Sequence, residues 1–153
     1  MASIFNQDFL DFIDCLNKQK VKYILVGGYS VILYGYSRTT GDLDIWVRKD
    51  EDNYNRLVLA FTQFQMPVFD MTLENFMNSS MFDVFTYGRP PVAIDIMTGV
   101  KGLSFDKCWE KANEFTIDNI SMKVVHLQQL IEAKKASGRY KDMDDLDHLQ
   151  KNN

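Results

Sequence analysis

The sequence feature that most constrains the fold is a short apolar run that ends in two glycines and is followed by two alternating acids. The run 22–26 leads into Gly27 and Gly28, and Asp42 and Asp44 follow within the next apolar stretch. Glycine commonly ends a strand and opens a turn. Residues two apart in a strand point to the same side. The sequence therefore predicts a strand–turn–helix unit beside a second strand with two carboxylates on one face.

Helical and extended patterns alternate irregularly along the rest of the chain. Their periodicity predicts helices over 6–19, 29–34, 50–65, 73–78, 105–112, 126–137 and 141–150, and strands over 22–26, 43–47, 81–87, 92–97, 115–117 and 122–125. The polar group 88–91 predicts a hairpin between two of these strands. We expect an α/β (α+β) fold in a single domain over residues 1–153, with a mixed β-sheet flanked by helices and with helices at the C-terminus.

Composition narrows the class of protein. A chain of 153 residues with 46% hydrophobic side chains is typical of one globular domain. Its net charge of -4 disfavours nucleic-acid binding through bulk electrostatics, although a local basic patch is compatible with it. Cys15 and Cys108 stand in apolar surroundings, which predicts buried thiols rather than a disulfide or zinc site. No stretch has the length of a membrane span, so we expect a soluble, cytoplasmic protein with no membrane partner.

Two carboxylates on one strand face repel each other, and proteins tolerate this mainly when a cation lies between them. Asp42 and Asp44 would select a hard cation, Mg²⁺ or Mn²⁺. The alternative is a solvated strand edge with two exposed acids. A two-ion site usually needs a third carboxylate, for which Asp95 and Asp83 are candidates. The context favours Asp95. The apolar run 92–97 predicts a fully buried strand, and an ionised aspartate there would be costly unless a cation or hydrogen bonds compensate its charge.

The glycine pair has two interpretations. Gly27 and Gly28 allow backbone to approach a ligand closely, the N–H groups at the start of a helix bind phosphate, and Ser30 adds a hydroxyl donor. The alternative is a tight strand-to-helix turn in which Ser30 is a local cap. The pattern is neither a Walker A motif nor a dinucleotide-binding fingerprint.

Together these motifs resemble the nucleotidyltransferase fold of the DNA polymerase beta superfamily. The resemblance is carried by hydrophobic-Gly-Gly-x-Ser followed by Asp-hydrophobic-Asp, with Asp95 matching a third acidic position. The segment from Leu130 to Leu146 contains Leu-Ile-x-x-Lys and Gly-Arg-x-Lys-Asp-x-x-Asp-Leu. It is similar to the C-terminal signature of small bacterial nucleotidyltransferase-like proteins, which are related to abortive-infection type toxins and to aminoglycoside nucleotidyltransferases. The match runs from about residue 23 to 149.

The resemblance implies transfer of a nucleoside monophosphate from a nucleoside triphosphate such as ATP to a hydroxyl acceptor, with release of pyrophosphate and with two Mg²⁺ ions (or Mn²⁺) as cofactors. In that scheme Asp42 and Asp44 hold both ions, and Asp95 holds the ion at the acceptor hydroxyl or acts as its base. Gly28 and Ser30, with the neighbouring Gly27, hold the β- and γ-phosphates. The acceptor is an RNA end, a protein or a small molecule, and the motifs do not choose among them.

Basic residues gather where the sixth predicted helix ends and the seventh begins. Lys134 and Arg139 lie on the matched signature and could clamp the triphosphate, or they could cap the helix end on a solvated surface. We interpret Asp142 and Asp145 as structural partners of these cations. His126 and His148 match no catalytic position. Arg38 and Thr40, in the loop before Asp42, could contact substrate or could be ordinary loop polarity.

Other classes of function fit the same residues. The chain could be a non-catalytic nucleotide- or partner-binding module of the same fold, such as a subunit of a toxin–antitoxin system, with a partner protein or as a homo-oligomer. It could also be a structural domain in which the three acids are scattered on the surface. The full carboxylate set favours the enzyme.

Overall fold

The computed structural model describes residues 5–36, 39–78, 83–89 and 92–152. Within these ranges the helices are α1 (Gln7–Lys18), α2 (Gly27–Leu33), α3 (Glu51–Phe64), α4 (Leu73–Met77), α5 (Phe105–Lys111), α6 (Leu127–Ser137) and α7 (Tyr140–Asn152). The strands are β1 (Tyr23–Val26), β2 (Leu43–Val47), β3 (Val84–Arg89), β4 (Val92–Met97), β5 (Asn113–Ile117) and β6 (Ile120–Val124).

The strands form one sheet in the order β3-β4-β2-β1-β6-β5. Neighbours in sequence pair antiparallel, as β1 with β2, β3 with β4 and β5 with β6. The pairs β2–β4 and β1–β6 are parallel, and longer segments that include helices connect their members. The mixed sheet flanked by helices that the sequence predicted is confirmed.

Both faces of the sheet are covered, and the side chains alternate between them. Leu43, Ile45 and Val47 of β2 lie in a cluster formed with α1, α3 and α4. Trp46 lies in a second cluster formed with α5, α6 and α7. Since alternate residues share a face, Asp44 points to the same side as Trp46, towards the C-terminal helices.

Several helix boundaries follow from capping residues in the sequence. Asn6 caps α1 by accepting a hydrogen bond from the Asp8 N–H at 2.7 Å. Asp50 caps α3 in the same way. Gly138 ends α6 with φ of 65°, the left-handed conformation that glycine adopts without strain. Ser104 occupies the N-cap position of α5, but its side chain makes no capping bond.

Other boundaries differ from the prediction. α2 begins at Gly27 instead of residue 29, because the chain turns at Gly27 itself, where φ is +71°. Gly88 and Arg89, predicted as hairpin loop, belong to β3 and pair with β4. The positions between these two strands, 90 and 91, and the start of the predicted third strand, 81 and 82, lie outside the described residues. The hairpin itself is confirmed by the antiparallel register.

Burial of both cysteines agrees with the composition. Cys15 and Cys108 are free and buried. Burial raises the pKa of the Cys108 thiol to about 11, with the carboxylate of Glu132 adding to the shift.

Among the described residues, no helix combines the length and apolar character that crossing a membrane requires.

Asn53 fastens the first turn of α3 to the ends of β1 and β2. The side chain is 2% exposed. Its Oδ1 accepts from the Lys22 N–H at 2.8 Å, and its Nδ2 donates to the carbonyls of Lys22 at 3.0 Å and Arg48 at 2.8 Å. One side chain therefore bonds three backbone groups, of which the Lys22 carbonyl also accepts from the Arg48 N–H at 3.1 Å.

We predict that Asn53→Ala lowers the free energy of unfolding by about 3 kcal/mol, since it leaves buried backbone groups without their hydrogen-bond partner. Urea denaturation of the variant measures this. Asn55→Ala, on the exposed side of the same helix, is the control and should change it by less than about 0.5 kcal/mol. Equal effects of the two substitutions would show that Asn53 does not fasten the helix to the sheet.

Candidate functional site

The predicted acids and both predicted cations line one cleft of about 430 Å³. Its walls come from the end of β1, the start of β2, β4, the segment between β4 and α5, and the junction of α6 with α7. The sequence separates these elements widely, and the sheet order brings them together. The acids lie on one side of the cleft and the junction of α6 and α7 supplies the cations.

The acids gather because β2 and β4 pair in parallel. Asp44 lies directly opposite Asp95 in this register, and Asp42 precedes Asp44 by two residues. All three are partly buried. The expectation that Asp95 is fully buried was wrong, because the face of β4 that carries it opens into the cleft.

Thr86 holds the Asp95 carboxylate. Thr86 lies opposite Asp95 across the β3–β4 hairpin, and its hydroxyl donates to Asp95 Oδ1 at 2.6 Å. The sequence allowed either a cation or hydrogen bonds to compensate this acid, and this bond is one such contact. Thr86 itself was not predicted, since only the register of the hairpin shows that it faces Asp95.

Asp83 lines the same cleft but in a different position. It is exposed and precedes β3, and its backbone carbonyl accepts from the Thr98 N–H at 3.0 Å, beyond the end of β4. Asp95, in contrast, is the direct partner of Asp44 in the sheet. The register therefore favours Asp95 over Asp83 as the third carboxylate.

Gly27 makes room for Asp44. A Cβ on Gly27 would stand 1.9 Å from Asp44 Oδ2, and the backbone has a φ of +71°. The close approach and the positive φ both require glycine at this position. The glycine turn and the acidic strand are thus one packed unit, in which the turn backbone and the Asp44 carboxylate share the floor of the cleft.

The other two residues of the glycine motif lie deeper. Gly28 is buried in the first turn of α2. Ser30 is fully buried, and its hydroxyl donates to the Gly27 carbonyl at 2.6 Å. Neither residue is among those that line the cleft. The observed bond is the local turn contact weighed as the alternative, so a phosphate contact by Ser30 remains a prediction and would require its hydroxyl to turn away.

Lys134 is a buried cation held by two acids. Its side chain is 8% exposed, and its Nζ lies 2.9 Å from Asp142 Oδ1 and 3.1 Å from Asp145 Oδ2. The structural role predicted for Asp142 and Asp145 is confirmed. Because isolated charges are costly in a protein interior, this triad ties α6 to α7 and fixes the wall of the cleft.

Arg139 and Ser137 complete this network at the rim. Arg139 Nε lies 2.6 Å from Asp142 Oδ2, and the Ser137 hydroxyl donates to the same oxygen. Burial alone would raise the pKa of Asp142, but the hydrogen bonds from Arg139, Ser137 and Lys134 outweigh it and lower that pKa to about 2. The pKa of Arg139 is raised mainly by its bond to Asp142, with a contribution from the Asp44 carboxylate. Arg139 is otherwise exposed, so its guanidinium faces the cleft mouth.

The donor chemistry of the acids fits a hard divalent cation, since carboxylate oxygens are what Mg²⁺ and Mn²⁺ prefer. The paired strands place Asp44 and Asp95 side by side, with Asp42 one pleat away. Within the described ranges, no three His, Cys, Asp or Glu residues are grouped so as to hold a metal ion by themselves.

The remaining polar candidates that the structure describes do not line the cleft. Arg38 is outside the described residues, and Thr40 does not line the cleft. His126 caps α6, with Nδ1 accepting from the Gln128 N–H at 3.2 Å. His148 stacks on Tyr36 with ring centroids 3.8 Å apart. Both histidines therefore have local contacts of their own.

We predict that Gly27→Ala lowers the free energy of unfolding by more than about 2 kcal/mol, because it adds a clash with Asp44 to the strain of a positive φ. Gly138 also has a positive φ, +65°, but a Cβ there meets nothing within 4 Å. Gly138→Ala should cost only about 1 kcal/mol from backbone strain. Urea denaturation of the two variants separates clash from strain, and equal losses would contradict the close Gly27–Asp44 contact.

We predict that Asp142→Asn costs about 3 kcal/mol at pH 7, since it leaves a buried cation short of a partner. The pKa of Asp142 falls from 3.8 to about 2 on folding. Its charge therefore contributes stability that is fully present above pH 3.8 and is lost as the pH falls through 2. The difference in unfolding free energy between wild type and variant should shrink over that range. Asp147→Asn, in an exposed pair with Lys151, should show almost no difference at any pH.

Comparisons with known proteins agree with the architecture. No curated protein matches the chain. A lincosamide antibiotic adenylyltransferase, LnuA, solved with lincomycin bound, superposes with a TM-score of 0.57 at 13% identity, covering 99% of this chain and 100% of that chain. A Thermotoga maritima protein proposed to be a nucleotidyltransferase superposes with a TM-score of 0.58 at 14% identity, covering 96% and 92%. At such identities these neighbours show the fold.

The family assignment comes from the sequence of nearly the whole chain. The family model described as "Nucleotidyl transferase of unknown function (DUF2204)" matches residues 6–153. That span includes the glycine turn, all the acids of the cleft and the junction of α6 and α7. The chain is thus a member of this nucleotidyltransferase family.

Proposed function

We propose that the protein is a Mg²⁺-dependent enzyme that moves a nucleoside monophosphate from a nucleoside triphosphate to a hydroxyl acceptor and releases pyrophosphate. The observation that carries the proposal is the parallel pairing that sets Asp44 opposite Asp95, with Asp42 beside them, in a cleft that Lys134 and Arg139 also line. Acids and cations on facing walls suit a substrate that brings both metal and phosphate.

Asp42, Asp44 and Asp95 would hold the divalent cations together with phosphate oxygens of the donor. In this proposal the phosphate completes the ligand set, because the described residues do not assemble three metal-binding groups on their own. Bound there, the ions would neutralise charge on the entering and leaving oxygens of an in-line displacement. Nucleotide and metal should consequently bind better together than either does alone.

The protein's own groups would position the reactants. The Gly27 backbone, which carries no Cβ, leaves space for the donor against Asp44. Arg139 would reach the phosphates with the part of its guanidinium that Asp142 leaves exposed. Asp95, oriented by Thr86, would take the proton of the acceptor hydroxyl or hold the ion beside it.

The acceptor class is the part of the proposal that the cleft constrains least. RNA ends, protein hydroxyls and small molecules all offer the same reacting oxygen. A small-molecule ligand, lincomycin, is bound in one structural neighbour, and small hydroxylated compounds are therefore worth screening beside RNA and protein.

We predict that the wild-type protein, incubated with Mg²⁺, a cell extract and each of four α-labelled nucleoside triphosphates, labels an acceptor with at least one of them. Asp44→Asn should reduce the rate by about a thousandfold or more, because metal binding contributes several kcal/mol to such reactions. Asp95→Asn should have a comparable effect. Asp83 lines the same cleft, so Asp83→Asn is the matched control. It should lower the rate much less.

Absence of labelling with all four nucleotides would contradict the proposal. Thermal melting would then test the alternative function. If ATP with Mg²⁺ raises the melting temperature of wild type but not of the Asp42→Asn, Asp44→Asn double variant, the protein is a non-catalytic nucleotide-binding module, such as a subunit of a toxin–antitoxin pair. If Asp83→Asn loses activity and Asp95→Asn does not, Asp83 rather than Asp95 is the third carboxylate.

A further inference from the structure

The two cations at the junction of α6 and α7 are already neutralised by the protein. Lys134 contacts Asp142 and Asp145, and Arg139 contacts Asp142. Two positive groups are thus matched by two carboxylates, one of them shared. The junction of α6 and α7 therefore adds little net positive charge to the site, although the sequence suggested a clamp there.

The opposite side of the cleft is strongly acidic. Asp42, Asp44, Asp83 and Asp95 all line it. A nucleoside triphosphate carries several negative charges of its own, and like charges at contact distance in a partly buried site repel each other strongly. Bound divalent cations offset part of this repulsion. A cation of the protein that is free to meet phosphate would offset more.

Lys101 is a cation of this kind. It lines the cleft and its side chain is exposed. Within the described part of the chain it makes no ion pair, in contrast to Lys134 and Arg139. Its sequence neighbours gave no motif that would have singled it out.

A rigid turn presents Lys101 to the cleft. The Leu103 N–H donates to the Val100 carbonyl at 3.1 Å, which closes a four-residue turn with Lys101 and Gly102 at its centre. Gly102 has a φ of +85°, as the third residue of a type II turn requires. Val100 and Leu103 pack against the second core cluster. The two ends of the turn are therefore anchored while the lysine at its tip stays free.

We propose that Lys101 is a phosphate-binding residue of the cleft, which contacts the triphosphate of the donor nucleotide and sets the affinity for it. The proposal rests on the proposed nucleotidyl-transfer function and adds to it a residue from the turn between β4 and α5. Lys134 then serves to fix the wall, and Arg139 and Lys101 both approach the phosphates.

Calorimetric titration in the presence of Mg²⁺ tests the assignment. Wild type, Lys101→Met and Lys101→Arg are titrated with the triphosphate that wild type binds best and with the matching nucleoside. Lys101→Met should bind the triphosphate about tenfold or more weakly, since a charge-assisted hydrogen bond is lost. It should bind the nucleoside as wild type does, and Lys101→Arg should retain most of the affinity for the triphosphate.

Lys107→Met is the control, because Lys107 is exposed on α5 and does not line the cleft. Unchanged triphosphate affinity in Lys101→Met, or an equal loss in Lys107→Met, would overturn the role of Lys101 and leave the proposed function intact. An equal loss for nucleoside and triphosphate in Lys101→Met would also overturn it, since that would indicate a damaged cleft. Failure of wild type to bind any triphosphate would instead overturn the proposed function and this proposal with it.

Discussion

The candidate site depends on the parallel pairing of β2 with β4. β2 lies at the centre of the sheet and is antiparallel to β1, so the start of β2 meets the end of β1 and the glycine turn. The same strand is parallel to β4, which places Asp44 opposite Asp95. If β4 were displaced by one residue, its side chains would exchange faces and Asp95 would enter the apolar core. One register thus determines the positions of the acids.

The hydrophobic layers enforce that register. Ile94 and Ile96 of β4 lie in the cluster formed with α1 and α3. Burying them leaves Asp95 on the opposite face, beneath the C-terminal helices. Burial of the apolar residues that flank Asp95 on β4 therefore supplies most of the free energy that keeps the carboxylates close together. Gly27 and Thr86 make local adjustments, the first by leaving space and the second by a hydrogen bond.

The C-terminal helices contribute a buried ionic network where the sequence suggested a phosphate clamp. Lys134 with Asp142 and Asp145 is almost fully enclosed. Such a triad fixes the positions of the two helices but leaves little charge for a ligand, because each charge is already matched by a partner. Its cost in desolvation is compatible with a role in fixing one arrangement of α6 and α7, and hence the width of the cleft between them and the sheet.

The sequence by itself determined the element types, the mixed sheet, the glycine turn, the acids Asp42, Asp44 and Asp95 as candidates, and the family resemblance, because periodicity, glycine and paired acids act locally. The tertiary structure decided which charges meet. Asp44 faces Asp95, Thr86 holds Asp95, Ser30 bonds to its own turn and Lys134 is neutralised, while Lys101 makes no ion pair with the residues that the structure describes. Charge pairing depends on distances between residues far apart in the chain. Only the sheet order and the packing of α6 and α7 set those distances.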